Sequence, residues 1–184
     1  MASTQERITT AALSLIGERG LSDVTMIDVA RSAGIARQTL YNHYPSIDSI
    51  VADALSRHNQ DSIDQLRSAL AVVETATDKM TQLVRHIAQI SAHHDHTIDL
   101  DNSLAPQHRA SLTQFVTAID ELIATILVQG QTDGIFRSDL DPDVDTTLVR
   151  QILTGISNLV AATPDEAAAI AATGTRTVLA ALNI

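Results

Sequence analysis

The stretch TMIDVARSAGIARQTLYNHYPS, from Thr25 to Ser46, constrains this chain more than any other. It reads as two short helices joined by a glycine turn. Thr25 is an N-cap, with Asp28 three positions on and Met26, Val29 and Ala30 turned inward. Ala33 and Gly34 are small, as the meeting of two helices at a tight turn requires, and Pro45 ends the second helix. Ile35 and Leu40 are spaced to plug one core. The second helix, Ala36 to Tyr44, places Arg37, Gln38 and Thr39 in its first turn and Tyr41, Asn42 and His43 behind them. This is the layout of a helix-turn-helix whose second helix enters the major groove of DNA. Arginine pairs with guanine edges and glutamine with adenine edges. Tyr41, Asn42 and His43 are suited to phosphate, which fixes register without reading sequence. Thr25 and Ser46, at two helix starts, complete the candidate DNA-contacting set. For the exposed members the alternative is an ordinary solvated helix face.

Helical periodicity continues nearly throughout. Ser3 and Glu6 form a capping box ahead of Ile8, Ala11, Ala12, Leu15 and Ile16, and Gly20 fits the C-terminal cap. Ser46 caps a long fourth helix with Ile47, Ile50, Val51, Ala54 and Leu55 inward. Further helices are expected from about Asp78 to Ala92, from about Pro106 to Gly130, and from Asp141-Pro142 onward. A final alanine-rich helix opens at Thr163-Pro164-Asp165-Glu166, an N-cap with proline at the first helical position. His93 to Asn102 reads as a polar loop. The expected fold class is all-α with about nine helices. An N-terminal helix-turn-helix domain over 1–46 is followed by a helical domain over 47–184.

Aromatics are only 2% of the 184 residues, so Leu, Ile, Val and Ala must build the core, and these suit helix-on-helix packing. Cysteine is absent, which excludes disulfides and thiolate metal sites. Neither a secretory leader nor a run of apolar residues long enough to span a membrane is visible, so a cytoplasmic protein is expected. The net charge of −10 is unevenly placed. Residues 1–60 hold five of the 12 basic residues but six of the 22 acids. The acidity therefore lies in the C-terminal part, where no phosphate need approach. The reading half is near neutral, so binding to DNA is expected to be modest per copy and salt-sensitive.

The pattern ERG, then Thr25, then VARSAGIARQTLYNHYPS and a long helix resembles the TetR family of bacterial transcriptional regulators, over roughly Ile8 to Leu55. The resemblance implies a DNA-binding regulator, a repressor by family default, that works as a homodimer on a palindromic operator and answers to a small-molecule effector. Tyr44 falls where the family has an aromatic core anchor. Two departures stand out. Ala36 replaces a usual serine cap at the start of the recognition helix, at a cost on the order of 1 kcal/mol. Ile47 and Asp48 stand where a phosphate-reaching lysine is common.

The resemblance also implies a dimer built on the last two long helices. Leu148, Ile152, Gly155, Ile156, Leu159, Ala171, Gly174, Val178 and Leu182 supply the small and apolar residues for it, although the same faces would serve an internal core. A pocket among the middle helices is implied as well. Its apolar candidates are Leu83, His86, Ile87, Ile90, Leu112, Phe115, Val116 and Ile119, and its polar ones are Gln82, Gln89, His93, His108 and Gln114.

Five of the seven histidines lie between His86 and His108, with Asp95, Asp99 and Asp101 among them. Imidazole and carboxylate suit zinc, nickel or copper(II). A metal-responsive regulator sensing through His86, His93, His94, His96 and His108 is therefore one alternative, although HHDH lacks the helical i, i+4 pair of a zinc site. His93, His94 and His96 are its nearest candidates. A second alternative is a helical scaffold that binds protein and no operator. Neither a nucleophile elbow, a phosphate loop nor a paired-carboxylate motif is present, so an enzyme and a resident cofactor are not expected.

Overall fold

The computed structural model describes residues 3–93 and 106–183, with side chains over 3–92 and 113–183. These residues form eight α-helices: α1 Thr4–Arg19, α2 Met26–Ser32, α3 Arg37–His43, α4 Ile47–Ala71, α5 Ala76–His93, α6 Pro106–Thr132, α7 Pro142–Ala162 and α8 Ala167–Leu182. Single 3₁₀ turns occupy Leu21–Asp23 and Pro164–Glu166. Among the described residues, extended pairing is limited to one isolated bridge between Phe136 and Asn183. The described residues are all-α, with eight α-helices among them where about nine are expected for the chain.

The described residues fall into two compact units, 3–61 with 106–114, and 62–93 with 115–183. The division lies inside α4, whereas the sequence suggests a boundary before Ile47. The first turns of α4 bury Ile50 and Val51 in the core of the first unit, so residues 47–61 fold with the helix-turn-helix.

Local signals start the first unit's helices. Ser3 and Glu6 close a capping box on α1, and Thr25 and Asp28 close one on α2. Ile8, Ala12 and Ile16 of α1 meet Val29 and Ala30 of α2, Leu40 of α3, Tyr44 and the start of α4. Each fully buried Ile or Leu contributes roughly 1.5–3 kcal/mol.

The second unit is built around Leu66 and Leu70 of α4, Met80, Leu83 and Val84 of α5, Ile123, Ile126 and Leu127 of α6, Val149, Leu153 and Val160 of α7, and Val178 and Leu182 of α8. Two glycines permit close packing there. A Cβ on Gly130 would come within 2.0 Å of the Phe136 ring, and one on Gly174 within 2.3 Å of Ile156 Cδ1. Asp141 caps α7 through Asp143 and Val144, with Pro142 in the first turn, as expected. Thr163 behaves differently. Its hydroxyl donates back to the Leu159 carbonyl and completes the end of α7. It caps nothing ahead of it, and α8 starts only at Ala167 after a 3₁₀ turn. No helix among the described residues is long and apolar enough to cross a membrane.

Candidate nucleic-acid interface

Helix α3 presents two chemically distinct faces. Leu40 is fully buried and Tyr44, just past the helix end, is buried too. Arg37, Gln38, Tyr41, Asn42 and His43 are exposed, and Thr39 is half-buried. Tyr41, at 52% exposure, is a large apolar-bodied side chain left in water. The Gln38 amide donates from Nε2 to Asn42 Oδ1 at 3.1 Å, one helical turn on. The helix starts at Arg37 with no side-chain cap on Ala36, as the sequence implies.

Two devices hold this helix in place. The first is Arg7 of α1, whose Nη2 donates to the Ala33 carbonyl and to Gly34 O at 3.3 Å. Gly34 sits at φ +64, a left-handed turn conformation that glycine adopts without strain. The arginine thus satisfies the carbonyls that the turn between α2 and α3 leaves open. The second is at the far end. The Tyr44 phenol donates to Asp53 Oδ2 of α4. Arg57 Nε donates to the same oxygen at 3.0 Å, and Arg57 Nη2 reaches Gln5 Oε1 of α1 at 3.2 Å. Burial, with the Asp53 carboxylate close by, pushes the Tyr44 phenol up to about 12. The Asp53 hydrogen bond raises the Arg57 guanidinium as well.

The helix starts nearby carry the other candidates. Thr25 is exposed and committed to its capping box. The Thr25 hydroxyl holds the Asp28 carboxyl below the usual carboxylate range, with Arg31 adding to it. Ser46 Oγ accepts from the Ser49 amide at 3.2 Å and so caps α4. Ile47 is half-buried against the first core, so its place near the DNA-facing helix is taken by packing rather than by a cation. Sequence reasoning missed Arg7, Asp53 and Arg57. The i, i+4 spacing of Asp53 and Arg57 was a readable signal; Arg7 gave none.

In the second unit the pocket candidates are scattered. Leu83 and Ile119 are core, Ile87 and Phe115 pack half-buried against it, Ile90 is half-buried, and Val116 is exposed at 39%. The His86 ring nitrogen Nε2 lies 3.3 Å from the Ser62 carbonyl, and burial holds the imidazole below its ordinary value. Leu112, His93, His94, His96 and His108 lie outside the residues or side chains described. Among the described residues no three His, Cys, Asp or Glu side chains gather as a metal site. A groove of about 860 Å³ lies between α5 and α8, lined by Thr81, Arg85, Ala88, Gln89, Ala92, Asp165 and a run of alanines on α8. Among the pocket candidates whose side chains are described, Gln89 alone lines it.

The interface candidates separate in a similar way. Leu148 and Leu159 are exposed at 54% and 59%, Gly155 is exposed, and Ile152 is half-buried. Ile156, Gly174, Val178 and Leu182 sit inside the second unit's own core, while Ala171 is half-buried and lines the α5–α8 groove.

The trihelical N-terminal unit, with a buried Leu40 face and an exposed polar α3 face, defines a helix-turn-helix DNA-binding regulator. Residues 8–54 match the family described as bacterial regulatory proteins, tetR family. The HTH-type transcriptional repressor KstR2 of Mycolicibacterium smegmatis is 30% identical over 158 residues, spanning 81% of this chain and 75% of that protein. A transcriptional regulator from Saccharomonospora viridis, solved in complex with choline, superposes with a TM-score of 0.81 at 22% identity, over 98% of this chain and 97% of that one. FadR from Bacillus subtilis, in complex with stearoyl-CoA, superposes at 0.78 and 16% identity, over 95% and 97%. The chain belongs to the TetR family of bacterial transcriptional regulators.

Proposed function

We propose that this chain is a ligand-responsive repressor that binds a palindromic operator as a homodimer, in the cytoplasm, and that it is not an enzyme. The observation that carries the reading is the exposed α3 face: Arg37, Gln38, Tyr41, Asn42 and His43 point to solvent while Leu40 and Tyr44 anchor the helix. Such side chains on a recognition helix reach base edges and phosphates. Thr25, Thr39 and Ser46 complete the proposed contact set. Repression is supported by the relative KstR2, a transcriptional repressor.

Pairing is supported by α7. Val144, Leu148 and Leu159 are large apolar side chains at 55%, 54% and 59% exposure, in line along one face with Gly155. A row of this kind on a water-facing helix marks an interaction surface. A two-fold pair of recognition helices then asks for a two-fold operator. The effector is proposed to enter the α5–α8 groove. Its volume suits a metabolite, and Thr81, Arg85, Gln89 and Asp165 supply polar contacts beside an alanine floor. The neighbours solved with choline and with stearoyl-CoA show that this fold takes ligands of very different shape.

Selection of bound duplexes from a random pool tests the reading. A palindromic site retained by the wild type, and lost in the Arg37→Ala/Tyr41→Phe double variant with its helical spectrum intact, is expected. Retention of no duplex at low ionic strength would contradict it.

A further inference from the structure

Among the described residues, the groove between α5 and α8 is lined by one basic and one acidic side chain, Arg85 and Asp165. Neither forms an ion pair there. They also stand apart. Val84, beside Arg85, faces Gly174 of α8, whose Cβ would lie 3.6 Å from Val84 Cγ1. Asp165 precedes the first residue of α8, Ala167. About two turns of helix, roughly 10 Å, therefore separate the two charges along the groove. A floor of alanines lies between them. We propose that this groove takes a small zwitterion, with a carboxylate at one end, an amine at the other and an apolar body between. The proposal rests on the effector reading of the groove given above.

The neighbours of Arg85 sharpen the choice. The Thr81 hydroxyl donates to the Thr77 carbonyl and the Thr175 hydroxyl to the Ala171 carbonyl, each at 2.8 Å. A carbonyl cannot donate, so the direction of both bonds is fixed and each hydroxyl has spent its single hydrogen. The two threonines keep lone pairs only. An anion in this part of the groove takes its donors from Arg85, with Gln89 one turn further along α5. Arg85 spends one of its five N–H groups on Gln82 Oε1, at 3.2 Å, and keeps a fork for a carboxylate. At the other end the Asp165 carboxylate offers acceptors alone, the complement of an ammonium group. A fatty acid would satisfy Arg85 and bring its methyl end against Asp165, and an alkylamine would do the reverse. Each leaves one charge partly stripped of water and unpaired. A zwitterion pairs both.

Titration calorimetry with the full chain, free of DNA, tests this. The probes are a straight-chain ω-amino acid series, with the fatty acids and alkylamines of matching length. The best ω-amino acid is expected to bind about ten-fold tighter than either matched compound, the equivalent of one charged hydrogen-bonded contact. Arg85→Gln should bring the amino acid level with the alkylamine and preserve its advantage over the fatty acid. Asp165→Asn should do the opposite. Both side chains are exposed, so both variants are expected to keep the wild-type helical spectrum. Equal affinity of the three compounds for the wild type, binding of none of them, or the same pattern of loss in both variants would overturn the assignment. Selective binding that leaves a bound duplex in place supports the ligand class and contradicts the effector reading.

Discussion

Arg7 of α1 donates through Nη2 to the carbonyls of Ala33 and Gly34, bridging 26 residues of sequence to the turn ahead of the recognition helix. Both acceptors belong to the turn and neither to α1, so the contact sets how α3 leaves α2. Arg7→Ala removes a charged donor from carbonyls that keep partial access to water. A loss of about 1 kcal/mol in stability is expected, with a larger loss in operator affinity because the turn is no longer held. Urea midpoints and duplex titration check this. A stability loss with unchanged affinity would confine Arg7 to a packing role.

Tyr44 and Asp53 give a pH signature. The phenol is raised from 10.0 to about 12, chiefly by burial and next by the Asp53 bond. Protonated Tyr44 therefore favours the folded state. Its contribution is complete below about pH 10 and is lost as pH rises through about 12. Thermal melts between these limits should fall more steeply for wild type than for Tyr44→Phe. Equal slopes would contradict the assignment.

The sign is opposite for His86. Burial lowers the imidazole below 6.5, so the fold prefers it neutral. That stability is fully present above the ordinary histidine value and is lost as pH falls below it. His86→Gln should flatten the drop in urea midpoint between neutral and mildly acid pH. A variant that loses stability as steeply as wild type would show that another group titrates.

Much of the reading head was legible because its signals are local. Both capping boxes, the Gly34 turn and the Leu40 anchor are set by residues a few positions apart. The tertiary bonds were not legible. Arg7 looks like any surface arginine of α1 until the turn is folded beside it, and Tyr44 gives no hint of which acceptor meets its hydroxyl. In α8 the difficulty is different. An alanine-rich helix has small residues on every side, so periodicity does not separate Gly174 and Val178, which face the core, from Ala168 and Ala172, which line the open α5–α8 groove. Thr163-Pro164 has the composition of an N-cap, yet the Thr163 hydroxyl turns back to the Leu159 carbonyl, which also accepts the Thr163 amide.

The packing of α8 on α7 gives a direct stability contrast. Gly174→Ala drives a methyl into Ile156 and should cost about 1–3 kcal/mol. Gly17→Ala on α1 meets nothing within 4 Å and should gain roughly 0.5–1 kcal/mol from helix propensity. Chemical denaturation of both variants checks the pair. A neutral Gly174→Ala would mean that Ile156 moves aside freely.

In the proposed complex two copies present their α3 helices to one duplex. Sedimentation velocity of the chain mixed with a labelled, selected duplex at low ionic strength measures it most directly. A particle of two chains and one duplex is expected, and for Leu159→Arg a folded single chain that leaves the duplex free. A wild type that sediments as a single chain with the duplex unbound, or a Leu159→Arg chain that still pairs and binds, would contradict it.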